Sequence, residues 1–417
     1  MKTISSIPHL RKNQSLRQVF NPIRSLTPET LTRHLDAFHA GNLRGAVLLW
    51  EAIERRDDVL QGVVSKRKKS ISRLQWDILT VDASDEAIAQ QEALRFFYNS
   101  LCCVNAVDSN ERGGFSLLVK QMMDAVGKKY AVHEIVYKIH DNLRLGEGCN
   151  ALVSAEFRFV PLEFFENRTG RLRFLVDDGD RDGVALEEGA WLTTVGDGLM
   201  EACSIAYLFK HLPLRDWLIY CERNGMPGVK GVTDAMPGTP QWEVALRAVE
   251  AFGAEFSALM TAGCDLQAID LSSRGILPYP ALIDRMDRAM VALWCGSDLA
   301  TFSRASGVGA SLQADERVLL QADDAAMVSE TLNAQVDRYV LGHLFGSEPI
   351  RAYLRIRPIQ QRDVLRELEI CERLIRLGVE ISKQDLRERF GVGLKHCSCE
   401  LSCSAAEESV DRERSEK

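Results

Sequence analysis

Four stretches of this sequence place residue types at spacings that chemistry could use. His133-Glu134 opens like the zinc-protease pattern HExxH, in which two histidines one helical turn apart hold a metal and the glutamate serves as base. The fifth residue is Tyr137 and the segment alternates like a strand, so the second ligand is missing and His133 reads as a solvent-facing strand histidine. Asp178, Asp180, Asp182 and Gly183 match the opening of a calcium loop, whose spaced oxygens wrap a hard cation. Gly189 stands where the bidentate glutamate belongs, so this stretch reads as a charged hairpin turn. His396, Cys397, Cys399 and Cys403 are zinc-type donors without paired C-x-x-C knuckles, and they read as part of a polar tail. Lys66-Arg67-Lys68-Lys69 is the densest basic run, with Trp76 after it, and could grip phosphate. It continues a helix whose other face is apolar, so it reads as a solvated helix face.

No GxxxxGK[ST] loop is present to cradle a phosphate. Gly307-Val-Gly309 lacks a third glycine, and Gly225-Met-Pro-Gly228-Val-Lys230-Gly231 has the wrong spacing. No Ser/His/Asp or Cys/His arrangement and no acid pair at a useful spacing stands out. The residues therefore predict a protein without catalysis of its own, without a cofactor and without a resident metal.

The elements that would position these groups are those of a globular chain. It has 417 residues, 46% of them hydrophobic and 26% charged, long enough for two to four domains. With 51 Lys and Arg against 59 Asp and Glu, the net charge of −8 does not suit tight binding of nucleic acid over the whole surface. The 11 cysteines are an odd number and mostly scattered, which predicts reduced thiols in a cytoplasmic compartment. No apolar run reaches the roughly 18–20 residues that span a bilayer, and the first seventeen residues are polar and basic, so neither a membrane partner nor export is expected.

Along the chain, residues 1–27 read as a loose arm, and Thr27-Pro28-Glu29 as the start of a helix. Residues 43–72 read as helix, with Val47, Trp50, Ile53, Leu60, Val63, Val64 and Arg67 recurring every three to four positions. Residues 75–82 alternate like a strand. Helices follow at 86–104 and 114–126, then a strand at 131–139. Between 157 and 194 four short β segments separated by Asn-, Asp- and Gly-rich turns predict an antiparallel sheet with its polar face in water. From residue 199 the chain turns helical, with amphipathic stripes at 244–260 and 282–294, a candidate strand at 266–271 between them, and helices at 323–345 and 361–377. Residues 395–417 have few apolar side chains and read as disordered.

In their order these elements resemble the portal proteins of Mu-like bacteriophages and prophages, over about residues 27–345. The carriers are residues 56–67 (RDDVLQGVVSKR) leading to 74–78 (LQWDI), then 214–228 (LRDWLIYCERNGMPG), 282–299 (LIDRMDRAMVALWCGSDL) and the helix around Leu332-Asn333. After about Arg351 nothing matches, and Trp294-Cys295-Gly296 departs from the family's smaller aliphatic-Gly pair.

The resemblance implies an α+β portal-type fold with a wing of antiparallel sheet plus helices, a two-helix stem, a small clip and a helical crown. The N-terminal arm would span 1–27, the wing 28–240, the first stem helix 241–260, the clip 261–280 and the second stem helix 281–298. A tunnel loop would follow at 299–311, inner-wall and crown helices at 312–394, and a disordered tail at 395–417. It implies a homo-oligomeric ring of about twelve subunits at one vertex of the phage head, assembled in the host cytoplasm, through which double-stranded DNA is packaged and ejected. Its partners would be the terminase large subunit, the major capsid protein and the neck and tail adaptor proteins. Candidate DNA contacts are Ser303, Arg304, Ser306 and Gly307 in the tunnel loop and Arg285 and Arg288 on the second stem helix; candidate clip docking residues are Asp265, Gln267, Asp270 and Arg274. A conduit must not hold its cargo tightly, and an acidic wall that repels phosphate suits that task. Two other readings stay open at this point: a different head-tail structural protein, and a DNA-packaging enzyme.

Overall fold

In the computed structural model, the described residues are 22–140, 152–177, 179–225, 229–252, 257–261, 278–296, 307–346, 349–357 and 364–377. The chain divides into two compact units, residues 1–359 and 360–417. The second contains one described helix, Val364–Arg376.

The first unit opens with α1 (Pro28–His39), whose start is fixed by a reciprocal capping box between Thr27 and Thr30. The expected helix over 43–72 is two helices, α2 (Arg44–Arg56) and α3 (Asp58–Ser72). Asp57 breaks it: its extended backbone ends α2, and its carboxylate accepts the Leu60 N–H at 2.8 Å to cap α3. After β1 (Gln75–Thr80) and α4 (Asp85–Ser100), β2 (Cys102–Asn105) takes residues that the 86–104 reading gave to helix. Then come β3 (Arg112–Gly113), α5 (Phe115–Met122) and α6 (Asp124–Lys128), followed by β4 (Tyr130–His140) and β5 (Leu152–Val160). Three two-residue strands, β6 (Phe165–Glu166), β7 (Arg173–Phe174) and β8 (Val184–Ala185), form a small antiparallel sheet.

The main sheet has five strands in the order β3-β2-β5-β4-β9, where β9 is Trp191–Val195. It is mixed, since β2 runs parallel to β5. The expectation that His133 faces solvent from its strand fails at β4. His133 and Glu134 are chain neighbours and so point to opposite faces, yet they are 0% and 3% exposed. The Gln121 amide of α5 meets His133 Nε2 at 3.3 Å on one side, and Arg158 of β5 lies 3.6 Å from Glu134. His133 is therefore a core residue, and burial pulls its pKa down to about 3, so it sits there uncharged.

The helical half comprises α7 (Met200–Gly225), α8 (Pro240–Phe252), α9 (Tyr279–Cys295), α10 (Gly307–Leu332) and α11 (Arg338–Phe345). A π-helical turn, Asn333–Asp337, joins α10 to α11. The helix expected over 244–260 ends at Phe252, and Ser257–Thr261 is a strand, β11, paired in parallel with β10 (Val229–Thr233). Parallel neighbours need a crossover, and α8 is that crossover, packed on β10 and β11. A last strand unforeseen in the sequence, β12 (Ala352–Arg357), runs antiparallel to β1 from Gln75↔Arg357 to Thr80↔Ala352.

Candidate functional site

Of the residues singled out in the sequence, Asp265, Gln267, Asp270, Arg274, Ser303, Arg304 and Ser306 lie outside the described residues, as do Asp178 and the cluster His396, Cys397, Cys399 and Cys403. Gly307 is the first residue of α10, so helix begins inside the range 299–311 assigned to a loop. Arg285 and Arg288 are on α9. Arg285 is exposed with no ion-pair partner among the described residues, and Arg288 Nε pairs with Asp284, one turn back, at 2.8 Å.

What the structure does bring together is a junction around α9. One stripe of that helix, Met290, Val291 and Trp294, is fully buried at its C-terminal end, while Leu282 and Arg285 near its start are exposed. Its packing partner is α7, which shows the same gradient: Cys203, Tyr207 and Leu208 are buried, Leu218 and Ile219 exposed. Trp294 Nε1 meets Cys203 Sγ at 3.3 Å, and Asp287 meets Lys210 at 2.6 Å, so the two helices run antiparallel. Together they form a rod rooted in the body at one end and exposed at the other. The helix expected to pair with α9 was the one at 244–260; the pairing belongs to α7 instead.

The root is fixed by two ionic groups. Arg67 of α3 reaches Asp324 of α10 through two hydrogen bonds, Nε to Oδ2 at 2.8 Å and Nη2 to Oδ1 at 2.9 Å, and donates through Nη1 to the Trp294 carbonyl at 3.3 Å. Its guanidinium also lies 6.0 Å from the Trp294 ring. One side chain thus ties the end of α9 to α10, on either side of residues 297–306. Gly296 closes α9 with φ +75, a left-handed cap that a residue with a Cβ rarely adopts. Gly127 of α6 lets the Trp294 ring approach, since a Cβ there would stand 3.0 Å from Cη2.

The second group is Lys210 of α7, with Nζ 2.8 Å from Asp57, 3.3 Å from Asp58 and 2.6 Å from Asp287. Burial alone would lower its pKa; hydrogen bonds and charge from Asp287 and Asp57 outweigh this and hold it above the usual lysine range. Burial raises the pKa of Asp287, an effect that Lys210 only partly offsets. Beside this root, Lys68 and Lys128 share Asp124 at 2.6 and 2.7 Å and reach Glu54 and Glu51 on α2. The two lysines overcome the burial of Asp124 and keep its carboxyl well below its ordinary value.

The basic run 66–69 is therefore divided. Lys66 and Lys69 are exposed as expected, but Arg67 and Lys68 are inward structural cations. The signal for Arg67 was in the sequence, because it falls on the stripe of Leu60, Val63 and Val64. Nothing in the sequence marked Lys210, Asp287 or Asp324 as its counterparts in this junction.

The family model described as the portal protein of Mu bacteriophage matches residues 47–392. The chain belongs to the family of Mu bacteriophage portal proteins. The match extends past residue 345, where the resemblance read from the sequence had stopped, and includes β12 and α10 with Asp324. The Mu-like prophage FluMu protein gp29 of Haemophilus influenzae is 21% identical over 296 residues, or 67% of this chain. Those residues make up 53% of that protein, so the chain spans about half the length of the curated relative it matches. A chain from the virion of a native gene transfer agent particle superimposes with a TM-score of 0.50 at 11% identity, covering 88% of this portal-family chain and 100% of the other. That likeness shows a shared α+β fold.

Proposed function

We propose that this chain is the subunit of a phage-type portal, a ring at one capsid vertex through which double-stranded DNA passes during packaging and ejection. The family match over residues 47–392 carries the reading. The antiparallel pair α7 and α9 is the stem, and β10, α8 and β11 lead into the clip. The tunnel loop is assigned to 299–311, the stretch after α9, and the sheet with α1–α6 is the wing. The inner-wall and crown segment proposed for 312–394 crosses the boundary between the two compact units at 359/360.

Exposed apolar side chains on these parts support a laterally assembled ring. Phe209, Leu218 and Ile219 on α7, and Val232, Met236 and Val244 in the β10–α8 region, are all exposed in the single chain. Burial between neighbouring copies would remove them from water. The protein itself performs no reaction in this reading; the terminase large subunit supplies the packaging work, and the major capsid protein and the neck and tail adaptors dock on the ring. Its place is the virion, after assembly in the host cytoplasm. The test is the mass and projection image of the purified chain by light scattering and electron microscopy. A ring of roughly 560 kDa, about twelve times the 46.7 kDa subunit, with a central hole is expected. A stable monomer or dimer at every salt concentration overturns the proposal.

A further inference from the structure

We propose that the groove along the outer face of α3 is a contact site for the phosphate backbone of double-stranded DNA. The groove measures about 730 Å³, and its charged wall is Lys66, Lys69 and Arg73. Lys66 and Lys69 are three positions apart on α3, and Arg73, its C-cap, follows four later, so the three cations share one face over about 10 Å of helix axis. Each is exposed and, unlike Arg67 and Lys68 between them, pairs with no carboxylate among the described residues. Asp58, the one acid on the wall, is already engaged by Lys210 at 3.3 Å. In a chain of net charge −8, this stripe is a local positive surplus that attracts anions.

The rest of the wall selects among anions. No aliphatic or aromatic side chain lines the groove, whereas a protein partner is held chiefly by such anchors seated in pockets. Gln61 and Ser65 add a carboxamide and a hydroxyl, and Gly62 leaves the surface open, with no atom within 4 Å of where a Cβ would stand. Cations, amides and hydroxyls with nothing apolar among them are the set that holds the phosphates of a nucleic-acid backbone, fixing its position without reading its sequence. Such contacts weaken as salt rises, which suits a cargo that must keep moving. Burial raises the pKa of the Cys295 thiol, and the charges of Lys66, Arg317 and Arg67 oppose that rise. Lys66 and the exposed Arg317 of α10 thus both stand near the end of α9, where the chain departs for the stretch assigned as tunnel loop. This role rests on the conduit reading and adds to it a DNA contact outside the tunnel loop and the stem.

The experiment measures binding of a fluorescently labelled duplex to the full-length chain by anisotropy over a series of salt concentrations, with the oligomeric state of each protein followed by light scattering. The variant K66Q/K69Q/R73Q changes only exposed side chains and is expected to bind about tenfold or more weakly. Its plot of log affinity against log salt should be shallower by about 2–3, since each lost phosphate contact removes about 0.9 from the slope. The charge-matched control K138Q/R171Q/R181Q, on exposed cations elsewhere in the first unit, is expected to keep the wild-type slope, and K66R/K69R to keep wild-type binding. No duplex binding by wild type, equal losses in the two triple variants, or no loss in the first, as expected if these cations only offset the dipole at the end of α3, would overturn the proposal. Capture of poly-L-glutamate in preference to the duplex, abolished by the same triple variant, would overturn it in favour of an acidic protein partner. A ring whose DNA binding survives the triple substitution removes the site and keeps the ring; a monomer whose DNA binding is lost with it keeps the site and removes the ring.

Discussion

The two ionic groups that root the α7–α9 rod differ in balance and in access to water. Arg67 meets one carboxylate, Asp324, in a two-bond fork, with both side chains below a tenth exposed. Lys210 faces three carboxylates, one of which, Asp58, is 90% exposed. A planar guanidinium can satisfy a carboxylate and still donate to the Trp294 carbonyl, which is why arginine stands where three helices are pinned at one point. An ammonium is a point charge that tolerates several loosely arranged acids. The first group fixes geometry; the second collects charge at a helix start and on α9, with solvent taking up the surplus.

The sharpest way to break this contrast is Arg67→Met, which strands the Asp324 carboxylate in the core. It is expected to cost about 3–5 kcal/mol in chemical denaturation, with R67M/D324L recovering much of the loss. A loss below about 1 kcal/mol would show that the clamp is wet and does not pin α9 to α10.

Next in size are two buried groups that have no ion-pair partner among the described residues. Burial pushes Asp337 up to about 6, against hydrogen bonds from the Tyr98 hydroxyl at 2.5 Å and the Leu354 N–H at 2.8 Å. Its folded pKa is raised, so its contribution is fully present below the unfolded pKa near 3.8 and is lost as the pH rises through 6. His133 is lowered, so its contribution is present above 6.5 and is lost as the pH falls toward 3. Between about pH 4 and 6 the two slopes oppose each other at about 1.4 kcal/mol per unit each. Relative to wild type, Asp337→Asn should gain stability with rising pH across that window, and His133→Gln should lose it. Stability curves at pH 4, 5 and 6 decide this, and parallel curves for all three proteins would refute the assignment.

Lys210→Met should cost less than Arg67→Met, about 1–3 kcal/mol, because Asp58 is already in water and Asp287 takes up a proton readily. Asp287 has a raised pKa, so the loss should shrink as the pH falls from 7 to 5, a trend measurable by thermal melting across that range. The smallest expected effect is that of Asp58→Asn, within about 0.5 kcal/mol, since an exposed partner of a shared lysine adds little. A larger cost would place Asp58 inside the junction instead of at its rim.

Much of the chain's organisation was readable from patterns of side chains. The helix start at Thr27, the strand at 75–80 and the helix over 279–295 stand close to where periodicity and capping residues placed them. Errors gathered where a local pattern is compatible with two environments. The alternation in β4 looked like a half-wet strand, but α5 covers the side that bears His133. The stripe at 244–260 looked like one helix, yet its last residues pair with β10, a contact with no local signature. β12 was missed for the same reason, since its partner β1 lies far away in sequence.

By itself the sequence determined the mixed α+β class and the placement of Arg67 on an apolar helix face, because composition and periodicity are local properties that survive in one dimension; the family came from the resemblance of whole segments, not from those patterns. Only the tertiary structure decided that α9 pairs with α7 and that Asp324 and Lys210 complete its root. Those outcomes depend on which distant groups desolvate one another, and a buried charge takes its role from the partner that the fold brings to it.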